Sequence, residues 1–185
     1  MIHLVRIGNV PIHILKELAH SLSKTFKLPV KMHKPIHVPD KGYDSEHHQY
    51  SSTEILKTLV KWDEQIRYPS KVLGITSVDL YAEGLHFVFG EADFDKGVAI
   101  ISLARLDPEF YDHTSNDALY HNRILKEAIH EVGHTYRLLH CPDELCVMHF
   151  SSTIRDTDRK GWKFCMKCKE KLDQKETSEV TGRII

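Results

Sequence analysis

The sequence has no long hydrophobic run. Its longest apolar stretches, such as GVAIISLARL from Gly97 to Leu106, fall far short of the roughly 20 residues that cross a bilayer, and no membrane association is expected. An excess of charge of one sign is also missing: 25 Lys and Arg stand against 26 Asp and Glu, a formal net charge of -1. Without a cationic surplus there is no field to gather nucleic acid or an anionic lipid surface. The start, MIHLVRIGNVPIHILKELAH, lacks the charged n-region, unbroken apolar core and small-residue cleavage site of a secretory leader. The expected location is therefore cytoplasmic. Cysteine is scarce, 4 in 185 residues, and all of it lies between Cys141 and Cys168. In a reducing compartment such a cluster holds metal more readily than it forms disulfides. No internal repeat is present.

What remains is an ordinary globular composition, 41% hydrophobic and 28% charged, in a chain of the size that builds one core, together with 14 histidines. Ile2 to Ile7 reads as a strand, and Ile12, Leu15, Leu18, Ala19, Leu22 and Phe26 recur at helical spacing. Pro29 to His37 reads as a second strand, ended by a long polar loop, YDSEHHQYSS. Ser52 or Thr53 can cap a helix carrying Ile55, Leu56, Leu59, Val60 and Trp62. Lys71 to Tyr81, Leu85 to Phe89 and Val98 to Leu106 are β-rich segments. Val98 to Leu103 is apolar on both faces, as a covered central strand should be. From Asn116 to about Tyr136 the helical period returns, and beyond Cys141 the chain is short, polar and punctuated by cysteine. The expected fold class is α/β (α+β): a mixed twisted sheet packed with helices, then one long helix, then a small C-terminal cysteine-bound subdomain. Residues 1–170 would form a single domain, with 1–136 as the sheet and helix part and 137–170 as the four-cysteine part. Residues 171–185 read as a flexible tail.

The long helix ends in HEVGHTYRLLHC. His130 and His134 lie four residues apart, about 40° in projection and one turn along the axis, so both imidazoles can reach one ion. Glu131 is near enough to accept a proton from water at that ion. His140 can be a third ligand only if the helix breaks after His134, because a continuing helix would carry it about 240° away. The result is a tripod with one position open for water, the arrangement of catalytic zinc. With histidine this abundant, two histidines and a glutamate in this pattern arise by chance in about one chain in fifteen; the third histidine and the amphipathic helix lower that further. Cys141 with Cys146, and Cys165 with Cys168, form two short-spaced pairs that can close a tetrahedral shell with no open position, hence a structural zinc. Because Cys141 directly follows His140, the two metals would be mechanically linked.

These residues resemble the metzincin clan of zinc peptidases, and the run from His140 and Cys141 through Cys146, Met148 and the Cys165/Cys168 pair is similar to the archaemetzincin family. QYSSTEIL, VLGITSVDLY, FVFGEA and ISLARL extend the resemblance upstream. It implies a zinc metallopeptidase acting on peptides or proteins, with two zinc ions per chain. His130, His134 and His140 would hold the catalytic zinc, Glu131 would serve as general base and acid, and Met148 would form the apolar floor of a Met-turn. Cys141, Cys146, Cys165 and Cys168 would hold the structural zinc. Leu85 to Phe89 would be the edge strand above the cleft, where an extended substrate could pair. Two departures stand out. Arg137 occupies the position where the clan has glycine, at a turn that favours positive φ, and Phe150 stands where some relatives carry a tyrosine. Tyr50, Tyr136 and His149 are further candidates for a role at the oxyanion, and His47 and His48 for lining the cleft. The alternative to an enzyme is a weakly active or inactive zinc-binding module that works through protein partners.

Overall fold

The structure is a computed structural model and describes residues 1–66 and 70–181. Its elements in chain order are β1 (Ile2–Ile7), α1 (Ile12–Phe26), β2 (Val30–Met32), β3 (Tyr43–Asp44), β4 (Gln49–Ser51), α2 (Ser52–Asp63), β5 (Lys71–Thr76), β6 (Leu80–Tyr81), β7 (Gly90–Asp93), β8 (Val98–Ser102), α3 (Asp117–Thr135), α4 (Ile154–Arg159) and α5 (Met166–Thr181). Five strands form one sheet in the order β2-β1-β5-β8-β7. Within it β1, β2, β5 and β8 run parallel and β7 is antiparallel to β8, with Gly90 opposite Ile101 and Asp93 opposite Val98. β3, β4 and β6 make a small second sheet.

Alternation along the strands sends side chains to opposite faces and explains the layers. Ile2, Leu4, Leu73, Ile75, Ala99 and Ile101 join the core beneath α1 and α3. Val5, Ile7, Val72, Val98 and Ile100 meet Ile55, Leu56 and Leu59 of α2 on the other side. Sandwiched parallel strands must be apolar on both faces, and β8 is fully buried along its length. Caps fall where short polar side chains stand: Ser51 accepts from the Glu54 N–H and Asn116 from the Leu119 N–H. Among the described residues no helix is long and apolar enough to cross a membrane.

Several boundaries differ from the reading of the sequence. The run Lys71 to Tyr81 is two strands, β5 and β6, parted where the Asp79 carboxylate turns to the Arg105 guanidinium at 2.7 and 2.8 Å. Strand β8 stops at Ser102, and Ala104–Leu106 is a 3-10 turn. Of the expected strand Pro29 to His37 only Val30–Met32 pairs continuously, with Ile36 bridging Ile7 alone. The edge strand of the large sheet is not Leu85 to Phe89 but β7, immediately after it. The aromatic content of that run reads as strand, yet Phe87 and Phe89 pack edge to face at 5.3 Å and Phe87 is covered by Arg105. At the C-terminus, α5 passes through the boundary expected at residue 170 and continues to Thr181. Among the described side chains of this helix, Leu172 is wholly buried and Cys168 nearly so, too few apolar anchors to leave a periodicity to read. Residues 182–185 lie outside the described residues.

Candidate functional site

α3 brings His130 and His134 to one face, and each ring is oriented by a backbone carbonyl: His130 Nδ1 lies 2.8 Å from the Val147 oxygen and His134 Nδ1 2.7 Å from the Leu138 oxygen. A carbonyl only accepts, so both Nδ1 atoms carry the proton and both Nε2 atoms present lone pairs. Those two Nε2 atoms face each other at 3.0 Å. Two lone pairs at that distance repel unless a cation lies between them. Ligands on a tetrahedral zinc with Zn–N bonds of 2.0–2.1 Å stand about 3.3 Å apart, so the donor set fits that ion. His140 completes it: its ring centroid is 5.4 Å from that of His130 and 4.9 Å from that of His134, and the ligand atoms of all three lie within 4.8 Å of one another. Burial pushes the imidazole pKa values down, His130 well below the ordinary value, His134 to about 4, and His140 less far. Neutral imidazole is the form that ligates a metal. His130 is buried, His134 intermediate and His140 exposed, so the site opens on the His140 side, where Phe150 lies against that ring at 4.9 Å.

The helix does break as the spacing requires. α3 ends at Thr135, Tyr136 is the cap, and Arg137 adopts φ 61°. The Arg137 N–H donates to the His134 carbonyl at 2.7 Å and the Leu138 N–H to the Gly133 carbonyl at 3.3 Å, which is a Schellman termination. The same turn aims the Leu138 carbonyl back at His134. Arg137 itself reaches Asp95 at 2.7 Å across an exposed surface. The substitution for glycine thus leaves the turn formed and His140 in place.

Two glycines make room for the working side chains. A Cβ on Gly133 would lie 2.6 Å from the Met148 sulfur, so the absence of a side chain there lets a fully buried Met148 pack directly against the α3 backbone. A Cβ on Gly90 would lie 2.7 Å from Glu131 Cγ and 2.8 Å from its Oε1. Glu131 therefore occupies the space between α3 and the start of β7. Burial, and then repulsion from Glu127, raise its pKa well above the ordinary carboxylate range, against the opposing pull of Lys160.

The four cysteines converge next to this site. Their sulfurs lie within 4.8 Å of one another, and the Cys141 and Cys165 sulfurs are 3.8 Å apart, the separation of about 3.8 Å set by two Zn–S bonds of 2.3 Å at a tetrahedral angle. The Cys165 N–H donates to the Cys146 sulfur at 3.3 Å, and the Cys141 N–H to the Met148 carbonyl at 2.9 Å. The donor set fits a closed thiolate shell.

Other residues singled out in the sequence go elsewhere. Tyr136 stacks on Phe26 in the core, Tyr50 packs on Tyr43, His47 binds Asp44 and His48 meets the Tyr43 hydroxyl. His149 does stay close, with Nδ1 3.0 Å from the Cys141 carbonyl. Missed altogether was a buried polar network: Arg123, Lys126 and Glu127 of α3 hold Asp158, the Thr157 carbonyl and Lys160. Its signal was three charged residues within five on a helix otherwise read for its apolar stripe.

Comparison with known proteins places these observations. The profile of peptidase family M54 matches residues 6–174. An archaemetzincin of Methanocaldococcus jannaschii is 43% identical over 169 residues, covering 91% of this chain and 90% of the relative. A zinc-dependent peptidase from Methanocorpusculum labreanum superposes with a TM-score of 0.85 at 33% identity, covering 93% of this chain and 100% of that one. The archaemetzincin of Archaeoglobus fulgidus does so with a TM-score of 0.77 at 38% identity, covering 92% and 99%.

Proposed function

The chain belongs to peptidase family M54, the archaemetzincin metallopeptidases, and from that premise we propose that it hydrolyses peptide bonds with a catalytic zinc held by His130, His134 and His140. Glu131 is the general base and acid, Met148 the floor beneath the ligands, and Cys141, Cys146, Cys165 and Cys168 hold a second, structural zinc. When bound, the catalytic ion supplies Lewis acidity, which acidifies water and polarises a carbonyl. The chain's own residues do the rest. The Val147 and Leu138 carbonyls hold His130 and His134 in the ligating tautomer. Glu131, made more basic by burial, takes as the carboxylate a proton from the attacking water and then, as the acid, passes it to the departing amine nitrogen. The free edge of β7 runs beside Glu131 and offers main-chain groups to an extended peptide.

The observation that carries this reading is the pair of inward-facing Nε2 lone pairs at 3.0 Å beside a buried carboxylate. Its test is Glu131→Gln in the full chain, assayed on a mixed peptide pool. The expected result is a fall in cleavage of about 10²–10⁴-fold with zinc content unchanged. Cleavage at the parent's rate would refute the role of Glu131.

A further inference from the structure

Lys160, immediately after α4, is 0% exposed, and Glu127, on α3 one turn before His130 and Glu131, is 3% exposed. The Lys160 ammonium lies 2.9 Å from Glu127 Oε1 and 3.4 Å from the His149 carbonyl. The same Glu127 oxygen accepts from the Thr157 hydroxyl at 3.0 Å. Stability does not explain such a pair, because apolar side chains of similar size usually serve a core as well or better. What the pair joins explains it. On one side is α3, carrying His130 and His134. On the other is the loop of Met148 and His149, whose imidazole Nδ1 holds the Cys141 carbonyl at 3.0 Å and whose Met148 carbonyl accepts the Cys141 N–H at 2.9 Å. Cys141 is the next residue after His140.

We infer that the Lys160–Glu127 pair is a positioning element that ties the Met148–His149 loop to α3 and thereby holds His140 in register with His130 and His134. This rests on the reading of the three histidines as zinc ligands. The pair touches no reacting atom. It acts through the ligand that comes from outside the helix, the only one of the three whose placement α3 does not settle by itself.

The sign of one measurement separates positioning from simple charge. The Lys160 cation is felt at all three imidazoles, so deleting it should tighten binding of a divalent ion if electrostatics alone mattered. If the tie matters, Lys160→Met should weaken zinc at the three-histidine site about tenfold to a hundredfold. The assay is competition for zinc against a graded chelator in the full chain with its cysteine site loaded. Because Lys160→Met strands a buried carboxylate, Lys160→Met/Glu127→Gln is measured beside it, with the charge removed from both partners. The expected result is a folded protein that keeps its cysteine-bound zinc, loses at least tenfold in histidine-site affinity, and loses kcat with KM within about twofold. Histidine-site affinity equal to or tighter than the parent's in the double variant would overturn the inference. A parent that binds zinc at the histidines yet cleaves no peptide would sink the peptidase mechanism, while the affinity comparison would still decide the positioning role.

Discussion

Gly133→Ala puts the packing beneath the site to a quantitative test. Gly133 lies inside α3, where alanine is ordinarily better by about 1 kcal/mol. Here the added Cβ would sit 2.6 Å from Met148 Sδ, 3.3 Å from its Cε and 3.4 Å from Phe164 Cε1, against ordinary contacts of about 3.5–4.0 Å. Met148 is fully buried, so it cannot swing out to solvent and must retreat by roughly 1 Å. Overpacking of that kind costs about 1–3 kcal/mol. Net of helix propensity the variant should lose about 0–2 kcal/mol, which for a chain of this length lowers Tm by up to about 8 °C. The Met148 carbonyl accepts the Cys141 N–H, so a retreat of Met148 that carries its backbone along should weaken zinc at the three histidines as well. Thermal unfolding of the zinc-loaded protein and a chelator titration measure both. A rise in Tm of 2–4 °C, the bare propensity gain, with unchanged zinc affinity would refute the reasoning.

Further expectations follow the same geometry. Gly90→Ala should displace Glu131, since the new Cβ also meets the Ile100 carbonyl at 2.7 Å and has no room to yield; kcat should fall by up to about a hundredfold for a displacement near 1 Å, with zinc content unchanged by atomic absorption. Arg137→Gly should leave Tm within a few degrees of the parent or raise it, because relief of about 1 kcal/mol of left-handed strain outweighs or balances an exposed ion pair to Asp95 that contributes about 0–1 kcal/mol; a large Tm loss would show that the surface contacts of Arg137 hold the turn. His3 is buried against His33 and Trp62, and burial, then the charge of His33, lower its pKa to about 4. The unfolded chain therefore takes up this proton first, so the contribution is complete above pH 6.5 and is lost as pH falls toward 4. His3→Leu should flatten the acid limb of a stability–pH profile, and an unchanged limb would contradict the assignment. Leu172→Ala removes a wholly buried side chain of α5 and should destabilise by about 2–5 kcal/mol, read as a lower urea midpoint; an unchanged midpoint would show that Leu172 does not anchor the helix.

The parts of the fold legible in the sequence were those governed by a single period. β1, α1, α2 and α3 announce themselves because each buries one stripe or both faces against a continuous layer. The boundaries that shifted are those where two demands compete on one residue. Phe87 and Phe89 satisfy β propensity yet spend their rings on each other and on Arg105, so the ladder begins at Gly90. Gly90 is needed there for a different reason, the bulk of Glu131, which no local pattern displays. At the site the convergence of the three histidines and of the four cysteines was legible because metal geometry imposes a spacing on the chain. The residues that orient them were not: the Val147 and Leu138 carbonyls are backbone groups without identity in a sequence, and Glu127 meets Lys160 across 32 intervening residues.

Arg137 shows how the turn accommodates a departure from glycine. A non-glycine residue in the left-handed region costs about 1–2 kcal/mol, but that cost falls on the stability of the whole chain and not on the position of one histidine. The turn is gripped from both sides. Before Arg137 the Schellman bonds run to the Gly133 and His134 carbonyls, and after it the Cys141 N–H is paired with the Met148 carbonyl while the Cys141 sulfur joins the cysteine cluster. A loop of three residues between such anchors, Leu138 to His140, has little freedom left to express strain as displacement. On the proposed reading, the adjacency of His140 and Cys141 is what removes the need for glycine: a metal in the thiolate shell would fix the third imidazole, and the backbone conformation at residue 137 would become a question of stability alone.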